Sequence, residues 1–443
     1  MTIRQLGADL RSGRISCVDL IEQSLVRARE HGDLRAFITV TDEEARAEAA
    51  ERDRELRQGL DRGPLHGIPI ALKDLFYTNG IRTTGGSLLY KDFVPDYDAD
   101  VVARLREAGA ISIGKLNLHE LAFGITSRNP HFGTVLNPVD KTRLAGGSSG
   151  GSGAAIAAGI VPMALGTDTG GSIRIPASYC GIVGLKPSYG LVSRRGVLPL
   201  GFTLDHVGPM GTSVEYCALA MNAMADVQQE YNLPPLADFK GIRIGLPRNF
   251  FFDNVDESVA NAVKNAIGRM QTAGAQVSEV LVPDFAELNT VSHMILLAEF
   301  ASLHPGARDR SRFGNDVWAL LEQGRMVAAH EYINAQRLRQ LFREEMRGVW
   351  KNIDVLATPT TPIVAPPAEA KTIRIHGQEE GVRPASTRLV RAVNCTGEPA
   401  LSMPCGKTPE GLPVGLQLIG PIRSDARLLQ IAKSLESLLE HPN

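Results

Sequence analysis

"RLAGGSSGGSGAAIAAG", residues Arg143 to Gly159, sets a run of glycine and serine directly against a small-residue apolar segment. Glycine inside regular structure costs roughly 0.5–1 kcal/mol relative to alanine, so the run would weaken an ordinary core. Three readings account for it: a flexible linker, a phosphate cradle, or a reactive serine held where backbone must approach a substrate. A Gly-Ser linker is a coil between domains, yet this run passes straight into AAIAAGIVPMALG, which is apolar and element-forming. A P-loop needs a lysine after its glycines, and none follows here. A dinucleotide fingerprint needs Gly at i, i+2 and i+5. With Gly151 and Gly153 in the first two places, the third is Ile156.

The reactive-serine reading takes two forms. Gly147-Ser148-Ser149-Gly150-Gly151 satisfies G-x-S-x-G, the nucleophile elbow, with Ser149 as nucleophile. That motif follows directly on a buried strand, whereas NPVDKTRLA here is polar and carries a proline. The second form draws on another unusual segment, GTDTGGSIRIPAS (Gly166 to Ser178). A Gly-Gly-Ser after a strand exposes consecutive backbone N–H groups, as an oxyanion hole requires. Its hydroxyl needs a base, and none of the ten histidines lies within either serine motif. Lys73 ends the apolar run GIPIALK. Burial lowers a lysine pKa, by up to about 3–5 units when complete, and a neutral lysine is a competent base.

Working outward, Ser16 three residues before Asp19 marks a helix start, and VDLIEQSLVRARE behind it has helical spacing. DEEARAEAAERDRELRQ and ADVVARLREAGA read as helices, as does the stretch from about Glu257 to Ala273. GIPIALK, ISIGKLN, VPMALGTD, GIRIGLP, VSEVLVP, DVLATPT, PALSMPC and GLPVGLQLIG read as strands, with a final helix after Asp425. Alternation over the whole length predicts an α/β fold around one large mixed sheet. The stretch from about 249 to 350 is mostly helical and polar and reads as an inserted cap. TPTTPIVAPPAEA (Thr358 to Ala370) reads as an irregular extended loop.

The totals restrict the class. The 443 residues are 43% hydrophobic and 22% charged, ample for a large buried core. A formal net charge of −2 argues against nucleic-acid binding by bulk charge. Five cysteines (Cys17, Cys180, Cys217, Cys395, Cys405), odd in number and without a C-x-x-C pair, suggest reduced thiols in a cytoplasmic protein. No signal peptide is visible at MTIRQLGADLRSGR, and no stretch approaches the roughly 20 apolar residues that span a bilayer.

Taken together, Lys73 in GIPIALKDLF and the blocks GGSSGGSGAA and GTDTGGSIRIPASYCGIVGLKPSYG resemble the amidase signature family of serine hydrolases. LDHVGPM and GEPALSMPCGKTPEGLPVGLQLIGP are similar to its flanking blocks, so the resemblance covers nearly the whole chain and is strongest from His66 to Gly211. It implies a single domain over residues 1–443, with a large central mixed β-sheet covered by helices on both faces. The family's Ser-cisSer-Lys set falls on Lys73 as base, Ser148 as the bridging serine held by a cis peptide, and Ser172 as nucleophile. The two serines stand 24 positions apart, as the family places them. Thr169, Gly170, Gly171 and Ser172 match the oxyanion-hole segment, and Ala122 in HELAFGI matches a position whose carbonyl lines the acyl site in some members. No cofactor or metal is implied.

Two function classes follow from the resemblance. One is a stand-alone amidohydrolase turning a carboxamide, or a related carbamate, anilide or ester, into acid and amine through an acyl-enzyme. The other is the A subunit of a glutamyl-tRNA amidotransferase, which uses glutamine as ammonia donor inside a complex. A non-catalytic scaffold fits less well, because all three catalytic positions are filled. The expected partner is a small amide or carbamate, with no direct nucleic acid and no membrane, and a homodimer by resemblance alone. Asp168 and Arg174 are expected to orient the nucleophile loop. Asp205 and His206 are expected not to pair, since neighbouring side chains on a strand diverge. Selectivity is expected from Phe123 to Ser127, from GVLPLGF (Gly196 to Phe202), and from the helical insertion, whose Met294, Leu296, Phe300, Phe313, Trp318 and Leu321 are apolar.

Overall fold

A computed structural model describes residues 3–440. The first strands in chain order are β1 (Phe37–Val40), β2 (Pro69–Lys73), β3 (Ile111–Leu116), β4 (Arg128–Asn129) and β5 (Gly133–Thr134). Then come β6 (Met163–Asp168), β7 (Val183–Lys186), β8 (His206–Gly211), β9 (Arg243–Pro247) and β10 (Gln276–Val280). The last five are β11 (Val355–Pro359), β12 (Thr372–Ile375), β13 (Gln378–Gly381), β14 (Ala400–Lys407) and β15 (Pro413–Ile419). Eleven of them form one sheet in the order β1-β3-β2-β6-β8-β7-β14-β15-β11-β9-β10, and β4/β5 and β12/β13 form two small pairs.

The sheet is mixed, as the alternation predicts. β2 runs parallel to β3 and to β6, and β9 runs parallel to β10 and β11. The neighbours in between, such as β6/β8 and β14/β15, are antiparallel. β2 and β6 are buried along their whole length, which is why PIALK and MALGTD are unbroken apolar or small-residue runs rather than alternating ones. Their common direction carries Lys73 and Asp168 to the same edge of the sheet, the carboxyl ends where α/β folds place ligands.

The expected helix start at Ser16 is a capping box on the helix Cys17–Glu30. The glycine-rich stretch becomes the helix Gly150–Ala157, and close packing explains its composition. A Cβ at Gly151 would lie 2.3 Å from the carbonyl oxygen of Asn117 and 2.5 Å from that of Ala36. Only a residue without a side chain lets this helix sit so near the neighbouring backbone.

Within 249–350 the structure divides the chain at Phe285. The helix Glu257–Thr272 packs on β11, β14 and β15, and β10 pairs with β9 at the sheet edge, so this first part belongs to the sheet layer. The helices Phe285–Leu303, Asn315–Arg325 and Ala329–Val349 pack mainly on one another. The first of them reaches the loop around Gly201 and Thr203, where Glu299 accepts from the Thr203 N–H at 2.9 Å. Leu296, Phe300, Phe313 and Leu321 are buried there as packing, with the Phe300 ring 4.7 Å from that of Phe123.

Candidate active site

Lys73 closes β2 with its side chain fully buried. Its Nζ lies 2.8 Å from Ser148 Oγ, 3.0 Å from Ser149 Oγ and 2.8 Å from Thr167 Oγ1. All three partners are hydroxyls, and no carboxylate forms an ion pair with Lys73 among the described residues. Burial pulls the pKa of this amine from 10.5 down to about 7, while the more distant charges of Asp168 and Asp205 hold it up. Such an amine is substantially neutral near physiological pH and has a lone pair to offer. Thr167 was not among the residues the sequence singled out. It reaches Lys73 because β2 and β6 are neighbours in parallel register, Leu72 facing Leu165, and that register is not written in any motif.

Ser148 and Ser149 sit at the entry to the helix Gly150–Ala157, and the Gly147–Ser148 peptide is cis. Neither hydroxyl caps the helix. Ser149 Oγ donates to the carbonyl of Thr167 at 3.2 Å and is fully buried, so it is committed to structure. The chain entering this turn is a loop rather than a strand, against the elbow reading. Ser172 stands on the turn between β6 and the helix Arg174–Cys180, and the N–H of Ser149 donates to its carbonyl at 3.2 Å. Lys73, Ser148 and Ser149 have 0% exposure and Ser172 has 5%, so of these four only Ser172 is open to solvent. The hydroxyl of Ser172 has no hydrogen-bond partner among the described residues; the two serine segments meet through the backbone.

Asp168 shapes the nucleophile turn. Its carboxylate accepts the N–H groups of Gly171 at 2.8 Å and Ile173 at 3.1 Å, and it pairs with the Arg174 guanidinium at 2.9 Å. Asn394 donates to the same carboxylate at 2.8 Å, while Arg174 also donates to Asn394 and Gln417, both at 2.7 Å. Burial alone would raise the Asp168 pKa, but Arg174, with Lys186 and Asn394, outweighs it and holds the carboxyl ionised far below the usual range. Asp168 and Arg174 thus orient the loop.

This network alters one expectation. The Gly171 N–H is spent on Asp168, so it is not free for an oxyanion. The N–H groups of Thr169, Gly170 and Ser172 have no acceptor among the described residues. Gly171 is needed for shape: its φ is +110°, and a Cβ there would lie 2.3 Å from Val390 Cγ2. The Thr169 hydroxyl donates to Asp205 at 2.7 Å, tying down the next residue of the turn.

A cavity of about 260 Å³ opens beside this turn, lined by Ala122, Thr167, Thr169, Val197, Leu200 and Asp205 among others. Ala122 has a φ of +59° and is one of the residues lining this cavity. Gly196–Phe202 also supplies wall, through Val197 to Leu200 and Phe202. Asp205 and His206 do not pair. Asp205 accepts from Thr169, Leu200 and Gly201, whereas His206 Nδ1 faces the carbonyl of Leu204 at 2.7 Å and burial keeps its ring neutral. Among the described residues no group of three His, Cys, Asp or Glu side chains is placed to hold a metal. No described helix is long and apolar enough to cross a membrane.

Comparison with known proteins places this geometry. The model of the Amidase family matches residues 19–429. The A subunit of the glutamyl-tRNA(Gln) amidotransferase of Thioalkalivibrio sulfidiphilus is 39% identical over 99% of this chain and 97% of its own length. The protein of the same name from Chloroflexus aurantiacus is 37% identical with the same coverage. Among solved structures, a vestigial protein complex described as revealing the evolutionary origins of an s-triazine catabolic enzyme superposes with a TM-score of 0.94 at 35% identity, covering 99% of this chain and 98% of that one. A crystal structure of an amidase superposes with a TM-score of 0.93 at 36% identity, covering 99% and 100%.

Proposed function

This chain belongs to the amidase family, and from that premise we propose that Lys73, Ser148 and Ser172 are its base, relay and nucleophile in opening a carboxamide. The observation that carries the assignment is Lys73 buried among hydroxyls with its pKa near 7. The neutral amine of Lys73 takes the Ser148 proton as Ser148 takes that of Ser172, and Ser172 Oγ bonds to the amide carbon. The carbonyl electron pair moves onto oxygen, facing the free N–H groups of Thr169, Gly170 and Ser172. Collapse restores the C=O bond and breaks the C–N bond. The proton held on Lys73 returns through Ser148 to the departing nitrogen, which would otherwise leave as a very poor amide anion. Water then repeats the sequence on the ester and releases the acid. Catalytic hydrogen bonds often tighten only in the substrate complex, and the relay requires Ser172 Oγ to reach Ser148 Oγ there.

For the amide itself, the curated relatives favour the glutamine reading: the chain as the A subunit of a glutamyl-tRNA amidotransferase, releasing ammonia from glutamine for a partner-bound charged tRNA. The relatives match over essentially the full chain, which no fragmentary likeness would give. The stand-alone amidohydrolase is the second reading, supported by the solved amidase at 36% identity. Kinetics on the purified chain separate them. An amidotransferase component cleaves L-glutamine slowly alone and speeds up with its partner subunits and charged tRNA. A free hydrolase turns over small amides alone and ignores those additions. In both, Ser172→Ala is inactive and Ser149→Ala keeps measurable turnover; the reverse result would restore the elbow.

A further inference from the structure

Half-buried arginines in this chain mostly have partners. Arg143, for example, donates to Asp140 and to the carbonyl of Ala365. Two do not. Arg383, on the helix Val382–Thr387, and Arg391, which begins the helix Arg391–Thr396, have no hydrogen bond or ion pair from their guanidinium groups among the described residues. Each is only half-buried, so a ligand can reach it.

Their place in the fold is fixed by the nucleophile turn. The Arg391 side chain runs alongside Gly170, where a Cβ would lie 3.5 Å from its Cγ and 3.7 Å from its Nε. One residue earlier, Val390 packs on Gly171; three residues later, Asn394 donates to Asp168. The Arg391 helix is therefore bolted to the residue that orients the Ser172 turn. Arg383 stacks over Phe123, 5.3 Å from the ring centroid, next to Ala122 at the acyl wall. The two cations repel one another, and with burial this draws Arg391 down to about 10. His293, on the facing helix Phe285–Leu303, feels both, and burial with their charges lowers it to about 4, so it adds no cation near neutrality. The carboxylate that acts on Arg383 is Asp316, which already meets His119 at 2.9 Å.

Two neighbouring guanidiniums with no carboxylate in contact are costly unless an anion joins them, and their planar forks match a carboxylate. We propose that Arg383 and Arg391 form a carboxylate-binding subsite beside the Ser172 turn, so that the amide opened there carries a carboxylate at the far end of its acyl half. The proposal rests on Ser172 being the nucleophile. It suits glutamine, and equally a dicarboxylate monoamide, and it disfavours uncharged alkyl or aryl amides.

The test is protection of Ser172 from a fluorophosphonate in the full chain, which needs no turnover. Pentanamide, glutaramate and L-glutamine share a five-carbon acyl half, the second adding a carboxylate and the third an ammonium as well. Wild type should be protected by glutaramate at about 10- to 100-fold lower concentration than by pentanamide, the scale of a charge-assisted hydrogen bond. Arg391→Gln and Arg383→Gln should each shrink that ratio with pentanamide unchanged, and Arg391→Lys should restore part of it. Equal protection by the two compounds in wild type, or a ratio untouched by both glutamine variants, overturns the subsite. Glutamine against glutaramate then reports whether the site also welcomes an ammonium. Failure of the underlying reading looks different: the label is found on a residue other than Ser172.

Discussion

Lys73 on β2 and Lys115 on β3 occupy neighbouring parallel strands, and both side chains are buried. Lys115 ion-pairs with Asp74 at 3.1 Å and donates to the carbonyl of Phe76 at 2.7 Å and to Thr83 at 2.6 Å. Lys73 meets only the hydroxyls of Ser148, Ser149 and Thr167. Burial lowers the pKa in both, but for Lys115 the Asp74 carboxylate opposes it at contact distance. Lys186, also buried and drawn to about 7, gives its protons to the backbone carbonyls of Pro187 and Glu398, which have none to return. Burial makes a lysine neutral; the partners decide whether neutrality is useful. Lys115 also meets a hydroxyl, that of Thr83, but Asp74 holds its charge; of the three, only Lys73 has hydroxyl partners and no carboxylate in contact.

Replacing each lysine should break the comparison in opposite directions. Lys73→Met should cut kcat by about 10⁴-fold or more, measured on whichever amide the chain turns over best. The same change should stabilise the fold at pH 7. The folded pKa of Lys73 lies below its unfolded value, so between about 7 and 10.5 the unfolded chain binds the extra proton and wild-type stability rises with pH. The gain in Lys73→Met is thus greatest at and below pH 7, on the order of 5 kcal/mol at most, and fades toward pH 10.5. Denaturant titrations at pH 6.5, 8 and 10 read it directly.

Lys115→Met should do the reverse, costing about 3–5 kcal/mol by leaving Asp74 buried without its partner, with kcat of the folded protein retained. Adding Asp74→Leu to it should recover most of the loss in the same titrations. The smallest effect is expected at Thr167→Val. Removing one acceptor from the Lys73 ammonium disfavours the charged form, so the rising limb of the pH–rate profile should move to lower pH while kcat falls about tenfold.

Much of this site was legible in residue order, and the reason is local. Lys73 ends an apolar run, and Ser148 and Ser172 lie in glycine-dense segments that ordinary structure avoids. Asp168 and Arg174, within two to four residues of Ser172, could be read as loop holders for the same reason. What escaped is what depends on pairing between distant segments. Thr167 meets Lys73 through strand register. Asn394 reaches Asp168, and Arg391 reaches Gly170, from more than 200 residues away. The N–H of Gly171 was expected among the oxyanion donors, but Asp168 takes it, a competition no spacing rule reveals. The fold shows the same division. Most long strands and helices match their sequence patterns, but β8 and the helix Val214–Met224 are not among the segments read from them, and β1 (FITV) and β7 (VGLK) are four-residue segments too short to carry a period. β10, read from the sequence as the strand VSEVLVP, pairs with β9 at the sheet edge, so the first part of the stretch from 249 onward belongs to the sheet and not to a cap.

The central claim is that Lys73 works as a neutral amine near physiological pH. Its most direct test is the rate of Ser172 labelling by a fluorophosphonate between pH 5.5 and 9.5, in wild type and in Lys73→Met. The account expects a single rise centred near pH 7 in wild type and only slow labelling without that rise in the variant. A wild-type rate flat across the range, or a rise of the same midpoint and height in Lys73→Met, would contradict it.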